Sequence, residues 1–156
     1  MNPQRLHVEY PNSKLNADWV VGFVDGEGCF HIGINKNAGV KLGYQVLPEL
    51  TVVQHQRDLQ LLHQLRTFMK CGVVRRNHED RFCWRVRKLN NLSEIILPFF
   101  EKHPLRSKKN VDFHKFAKVI RLMQKGEHLN PDGFQKILKI AASMNRQQSR
   151  DIRIKI

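Results

Sequence analysis

Apolar and polar positions along this chain switch repeatedly between a helical and a two-residue period. Trp19, Val20, Val21, Phe23 and Val24 form a short apolar run, and Asn16 stands where an N-cap belongs, with Ala17 and Asp18 opening the first turn, so a helix is predicted over residues 16–26. Phe30, Ile32 and Ile34 then alternate with His31, Gly33 and Asn35, which reads as a strand over 29–36 with Asn37 also facing out and a turn over 36–39. The return strand runs from Tyr44 to Gln54, with Gln45, Leu47, Glu49 and Thr51 sharing its outward face. Pro48 lacks a backbone N–H, so part of this strand is expected to be an edge or a bulge.

Leu59, Leu62, Leu65, Phe68 and Met69 return to helical spacing through Lys70, behind Asp58 as cap, and Cys71-Gly72 ends the segment. A second hairpin pairs Val73–Arg76 with Phe82–Arg87 through residues 77–80, turning Phe82, Trp84 and Val86 inward. Asn90 or Asn91 is expected to cap a helix carrying Leu92, Ile95, Ile96 and Leu97 and interrupted at Pro98. Val111, Phe113, Phe116, Val119, Ile120 and Met123 mark buried positions of a helix over 108–125, and Asn130-Pro131 starts a last helix to about Met144. The order is α-β-β-α-β-β-α with additional helices, an α+β class. One domain over residues 16–145 is expected, after an extended lead-in (1–15, containing Pro3 and Pro11) and before a basic tail (146–156), mobile or strand-like.

Charge adds a partner class. Lys and Arg number 27 against 14 acids, a net charge of +13, which points to a polyanion. Nucleic acid is favoured over membrane, because no apolar run of spanning length and no basic amphipathic helix is present. Residues 1–14 are polar with two prolines and lack a signal-peptide core. Cys29, Cys71 and Cys83 form no CxxC pair and leave an odd thiol, which suggests neither a disulfide framework nor a zinc site and fits a reducing compartment. In the second hairpin, Arg75, Arg81, Arg85 and Arg87 take outward or loop positions. With His31, Asn35, Gln45 and Asn77 they make a face of cations and amides suited to base edges and phosphates. A merely solvated sheet face is the alternative, although such faces ordinarily mix both signs.

The first helix carries an anomaly. Asp25 and Glu27 stand at its C-terminal end, the negative pole of its dipole, where carboxylates are disfavoured unless a cation joins them. Gly26 and Gly28 are expected to let the chain turn sharply and expose a carbonyl beside the acids, a donor set for a hard divalent ion. Gly22, in the helix interior, costs about 1 kcal/mol against alanine. That cost is rational if another backbone approaches on the face shared by Trp19, Gly22, Phe23 and Gly26. An ordinary helix ending in a polar turn remains the plain alternative for this stretch.

Val20-Val21-Gly22-Phe23-Val24-Asp25-Gly26-Glu27-Gly28 resembles, position by position, the signature of the LAGLIDADG homing endonucleases, and the order of elements after it matches the family over most of the chain. The resemblance implies a four-stranded antiparallel saddle lying in the DNA major groove, with helices on its other face. It implies site-specific double-strand DNA cleavage by metal-dependent phosphodiester hydrolysis, with Glu27 and the Gly26 carbonyl as metal ligands. The family's solvent-organising glutamine and lysine match Gln54 and Lys109, with Lys108 the rival for the second role. Mg²⁺ is the expected cofactor, two or more per dimer; Mn²⁺ is expected to substitute, and Ca²⁺ to bind without supporting cleavage.

The motif occurs once, so two copies must meet to cut both strands. The interface is expected at Trp19, Gly22, Phe23, Asp25 and Gly26, and the DNA target as a near-palindrome. Contacts to DNA are expected from His31, Asn35, Asn37, Gln45, Glu49, Thr51, Arg75, Asn77, Arg81, Arg85 and Arg87. The chain departs from the family in carrying Glu27 where aspartate is also frequent and Gly26 where alanine is the namesake, which puts metal distances in question. Two further functions stay open by the same resemblance: an RNA maturase that binds its host intron RNA, and a non-cutting DNA-binding regulator. The family also suggests an intron-encoded protein of a chloroplast or mitochondrion.

Overall fold

The alternating patterns close into one sheet with helices on one side. A computed structural model of the chain describes residues 14–144; the expected tail and nearly all of the lead-in lie outside the described residues. In order come α1 (Ala17–Glu27), β1 (Gly28–Lys36), β2 (Tyr44–His55), α2 (Leu59–Met69), β3 (Val73–His78), β4 (Arg81–Val86), α3 (Leu89–Asn91), a π-helical turn (Leu92–Ile96), α4 (Leu97–Lys102), α5 (Lys109–Gln124) and α6 (Pro131–Ala142). The four strands are antiparallel in the order β1-β2-β4-β3. Inward residues of the strands meet the helices in one core, where Phe30 sits 5.7, 5.4 and 5.2 Å from the rings of Phe100, Phe113 and Phe116. No helix among the described residues is long and apolar enough to cross a membrane.

Two caps legible in the sequence form as expected. Asn16 accepts from the Trp19 N–H at 2.8 Å, and Asn130 accepts from the Gly133 N–H at 2.8 Å, which starts α6 behind Pro131. Pro48 takes the edge alternative: it pairs with Ile32 in unbroken register, and β4 runs alongside β2 only from Leu50 onward, so the proline falls where β2 has a single neighbour and no bulge forms. Five other expectations are corrected. Asp58 makes no side-chain cap; His55 Nδ1 accepts from the Arg57 N–H instead. Neither Asn90 nor Asn91 caps a helix, because the helical stretch begins at Leu89, and Pro98 does not interrupt it. The π turn absorbs the proline: the Leu97 N–H reaches back to Leu92, and the wider turn relieves the ring of the preceding carbonyls.

Val111 is 51% exposed. At about 100° per residue it lies roughly opposite Phe113 and Ile120, so helical geometry keeps it out of the stripe they define. Last, Gly28 makes no sharp turn. Its backbone is extended (φ −80°), and glycine is needed there because a Cβ would come within 2.7 Å of Val24 Cγ1 and 2.8 Å of the Val24 carbonyl.

The start of β3 is fixed more tightly than any pattern suggested. Gly72 has φ +87°, and a Cβ there would lie 2.5 Å from Trp84 Nε1 and 2.9 Å from the Arg85 carbonyl. Trp84, fully buried, donates its indole N–H to the Cys71 carbonyl at 2.9 Å. Gly72→Ala is expected to cost about 3 kcal/mol, from left-handed strain plus overpacking. Urea denaturation checks this: an unchanged midpoint would mean the chain can enter β3 by another route.

Candidate active site and nucleic-acid face

The C-terminal end of α1 is where the candidate chemistry gathers. Val24 and Asp25 present carbonyls there, at the pole of the helix that carries partial negative charge. Lys109, at the first turn of α5, satisfies both: its ammonium donates to the Asp25 carbonyl at 2.9 Å and to the Val24 carbonyl at 3.2 Å. Lys108 is exposed, at the N-cap position of α5, and makes no such contact. A cation at a helix C-terminus offsets the dipole, so Lys109 supplies part of the compensation that two acids at this pole require.

The two acids take different roles. Asp25 accepts from the backbone N–H groups of Arg106 and Ser107, each at 3.0 Å, and from the Ser107 hydroxyl. Burial alone would raise its carboxyl, but the Ser107 hydroxyl, the two amides and the Lys109 ammonium outweigh this and hold it below the usual carboxylate range. Asp25 therefore anchors the turn before α5 within its own chain, with its carboxylate turned to that task rather than outward. Ser107 also accepts from the Lys109 N–H at 3.2 Å, so it couples the turn to the lysine. Sequence reading missed Ser107; a serine two residues ahead of a helix start is the cap signal that was there to find. Glu27 is exposed, and no hydrogen bond or ion pair among the described residues engages its side chain.

A depressed carboxyl stabilises the fold above its unfolded value of 3.8, and that contribution vanishes as pH falls through the lower folded value. Asp25→Asn is thus expected to flatten the loss of thermal stability below pH 3.8. A variant whose Tm falls with acid as steeply as the parent would remove the anchoring role.

Gln54 stands two residues beyond Val52, the register partner of Gly28, so the end of β2 runs alongside the α1–β1 junction. Its pairing with Phe82 gives it the inward parity of the sheet. The opposite parity carries the outward face. Cys29–Thr51, His31–Glu49, Gly33–Leu47 and Asn35–Gln45 pair across β1 and β2, Thr51–Arg85 and His55–Arg81 across β2 and β4, and Arg75–Cys83 across β3 and β4. His31, Asn35, Gln45, Glu49, Thr51, Arg75, Arg81 and Arg85 therefore share one side. Arg87, just past β4, ion-pairs with Glu49 at 2.6 Å, and Glu49 is the acid standing among these cations. Asn37 sits in the β1–β2 turn, donating to Gln45 at 3.2 Å. Asn77 falls in a register shift between Arg76 and His78, outside the regular pairing. Arg76, which sequence reading passed over, lies 5.6 Å from the Phe82 ring centroid.

Trp19 and Phe23 stack at 4.7 Å on α1, and Trp19 remains 39% exposed. A Cβ at Gly22 or Gly26 would meet nothing within 4 Å among the described residues. Gly22, expected to admit a second backbone, is thus exposed in the single chain, and among the described residues that face of α1 is open.

Known proteins share this arrangement. The chain is 31% identical over 133 residues to probable intron-encoded endonuclease 2 of Neurospora crassa, a match covering 84% of this chain and 29% of that protein. It spans between a quarter and three tenths of the length of the first curated relatives it matches, from 26% to 29%. Among solved structures, the homing endonuclease I-TnaI superposes with a TM-score of 0.83 at 56% identity, over 85% of this chain and 90% of that one. I-SmaMI, bound to uncleaved DNA target in the presence of calcium ions, superposes with a TM-score of 0.84 at 39% identity, over 85% of this chain and 46% of that one. The family model for LAGLIDADG endonuclease matches residues 20–120, from within α1 to within α5, and the chain belongs to that family.

Proposed function

We propose that this protein is a site-specific, double-strand DNA endonuclease that works as two identical copies joined along α1. The observation that carries the reading is Glu27: an exposed carboxylate that no hydrogen bond or ion pair among the described residues engages, at the negative end of the helix whose Val24 and Asp25 carbonyls hold the Lys109 ammonium. Glu27 and the Gly26 carbonyl are hard oxygen donors, which fits Mg²⁺ or Mn²⁺. No group of three ligating side chains occurs among the described residues of one protomer, so a single copy offers an incomplete set. A second Glu27 brought alongside would complete it. The I-SmaMI chain, 46% of which this fold covers, is long enough for two such units, and this supports pairing of two short chains.

The residues divide the work. Arg75, Arg81 and Arg85 neutralise phosphates or read base edges and hold the duplex against the sheet. Lys109, held by two carbonyls and by the Ser107 turn, places positive charge where the leaving oxygen develops negative charge. Gln54, at the end of β2, orders a water near the same junction. Glu27 and the Gly26 carbonyl would hold a divalent ion, which would supply Lewis acidity toward phosphate and water oxygens. The intron-encoded relatives support an origin in an organellar intron for this gene too.

Incubating the full chain with a randomised duplex library and Mg²⁺ tests this. Double-strand products sharing one sequence are expected, with Ca²⁺ supporting binding alone; the absence of products with Mg²⁺ and with Mn²⁺ would overturn the nuclease reading.

A further inference from the structure

Val73 is the anomaly on the outward face. It is 53% exposed, and among the described residues the other strongly exposed large apolar side chains (Trp19, Val40, Val111 and Leu129) all lie off the strands. Val73 pairs with Arg85, Arg85 with Thr51, and Thr51 with Cys29, so one row crosses all four strands on the outward side and ends at Val73. β3 is an edge strand, where a polar residue would ordinarily protect against association. A branched apolar side chain at such an edge stands out among the cations and amides of this face.

From this placement we propose that Val73 reads a thymine, packing its methyl groups against the base's 5-methyl in the major groove; the inference rests on the DNA-cleavage reading above. The 5-methyl is the one apolar feature of the major-groove edge, and it distinguishes thymine from cytosine by shape and polarity. Val73 is presented rigidly. At the residue before it, Gly72, a Cβ would fall 2.5 Å from Trp84 Nε1 and 2.9 Å from the Arg85 carbonyl, and Trp84 is fastened to the Cys71 carbonyl. A fixed side chain loses little freedom on contact, so a single methyl–methyl contact is felt in full. Arg85, its register partner on the same outward row, has a buried Nε with no hydrogen-bond partner among the described residues. Val73 thereby adds apolar discrimination to a face that otherwise offers cations and amides.

The test pairs a change in the protein with a change in the base. Duplexes are selected by binding to the full chain in Ca²⁺, and each thymine of the recovered sequence is replaced in turn by uracil, which lacks only the methyl. For the parent protein, one uracil position per half-site is expected to weaken binding about fourfold, the ratio given by burying one methyl group. For Val73→Ser the same replacement is expected to change nothing. Val73→Thr, which keeps one methyl and the branched shape, is expected to fall between, and equal melting temperatures of the three proteins establish that the fold is intact. A recovered site at which no uracil effect depends on residue 73 overturns the inference while leaving the nuclease reading standing. Failure to recover any bound duplex overturns both.

Discussion

Glu27→Gln leaves the protein bound to its duplex and unable to cut it. The substitution keeps the shape of the side chain and removes its charge, and Glu27 is exposed with no hydrogen bond or ion pair among the described residues, so little packing is at stake. Cleavage is expected to fall at least about a thousandfold, since a metal-assisted step supplies several kcal/mol of transition-state stabilisation and the amide is a poor ligand. Binding in Ca²⁺ should hold within a few fold. A second consequence has the opposite sign. A carboxylate at a helix C-terminus costs about 0.3–1 kcal/mol, so neutralising it should raise the melting temperature slightly. Gain in stability with loss of cleavage is the signature of a residue retained for function against its own electrostatics. Single-turnover cleavage, gel shift and thermal melting on one preparation separate the outcomes, and parallel loss of binding and cutting would remove Glu27 from the chemistry.

Gly22→Leu is expected to abolish pairing of the two copies and, with it, double-strand cleavage. Among the described residues a Cβ at Gly22 meets nothing within 4 Å, so nothing there calls for a glycine that costs the helix about 1 kcal/mol. Beside it, the stacked pair Trp19 and Phe23 leaves an aromatic surface at the same helix face, with Trp19 39% exposed. Leucine would hold a facing helix off by the width of its side chain and leave the monomer folded, and more helical than before. Gly22→Ala makes the control, because it should stabilise the monomer while perturbing the interface far less. Sedimentation decides: a Gly22→Leu protein that remains dimeric would move the interface away from α1, and one that is monomeric yet cuts both strands would remove the need for pairing.

Much of the framework was legible because it rests on short-range rules. The alternation of Phe30, Ile32 and Ile34 has a single solution as a half-buried strand, and burial follows it at Phe30 and Ile32. Asn16 and Asn130 cap helices because a side chain three residues from an unsatisfied amide needs no distant partner. The motif at residues 20–28 carried the family, and the net charge of +13 pointed to the polyanion. Where local rules met a distant competitor they failed. Asp58 lost its cap to His55, whose imidazole also reaches Asp80 at the far hairpin, with Nε2 and Oδ2 2.8 Å apart. Pro98 was read as a break, yet the surrounding core holds the helix together through a π turn.

The sequence by itself determined the order of elements, the outward parity of the arginines and the misplaced acids at the end of α1, since period, register and dipole act within a few residues. Only the tertiary structure decided what answers those acids. Ser107 and Lys109 stand more than 80 residues from Asp25 along the chain, and the packing of α5 against the sheet brings them to it. No spacing rule reaches that far. A helix end exposes carbonyls and charge whose partners are chosen by the fold in three dimensions: Asp25 received them from its own chain, and among the described residues Glu27 did not.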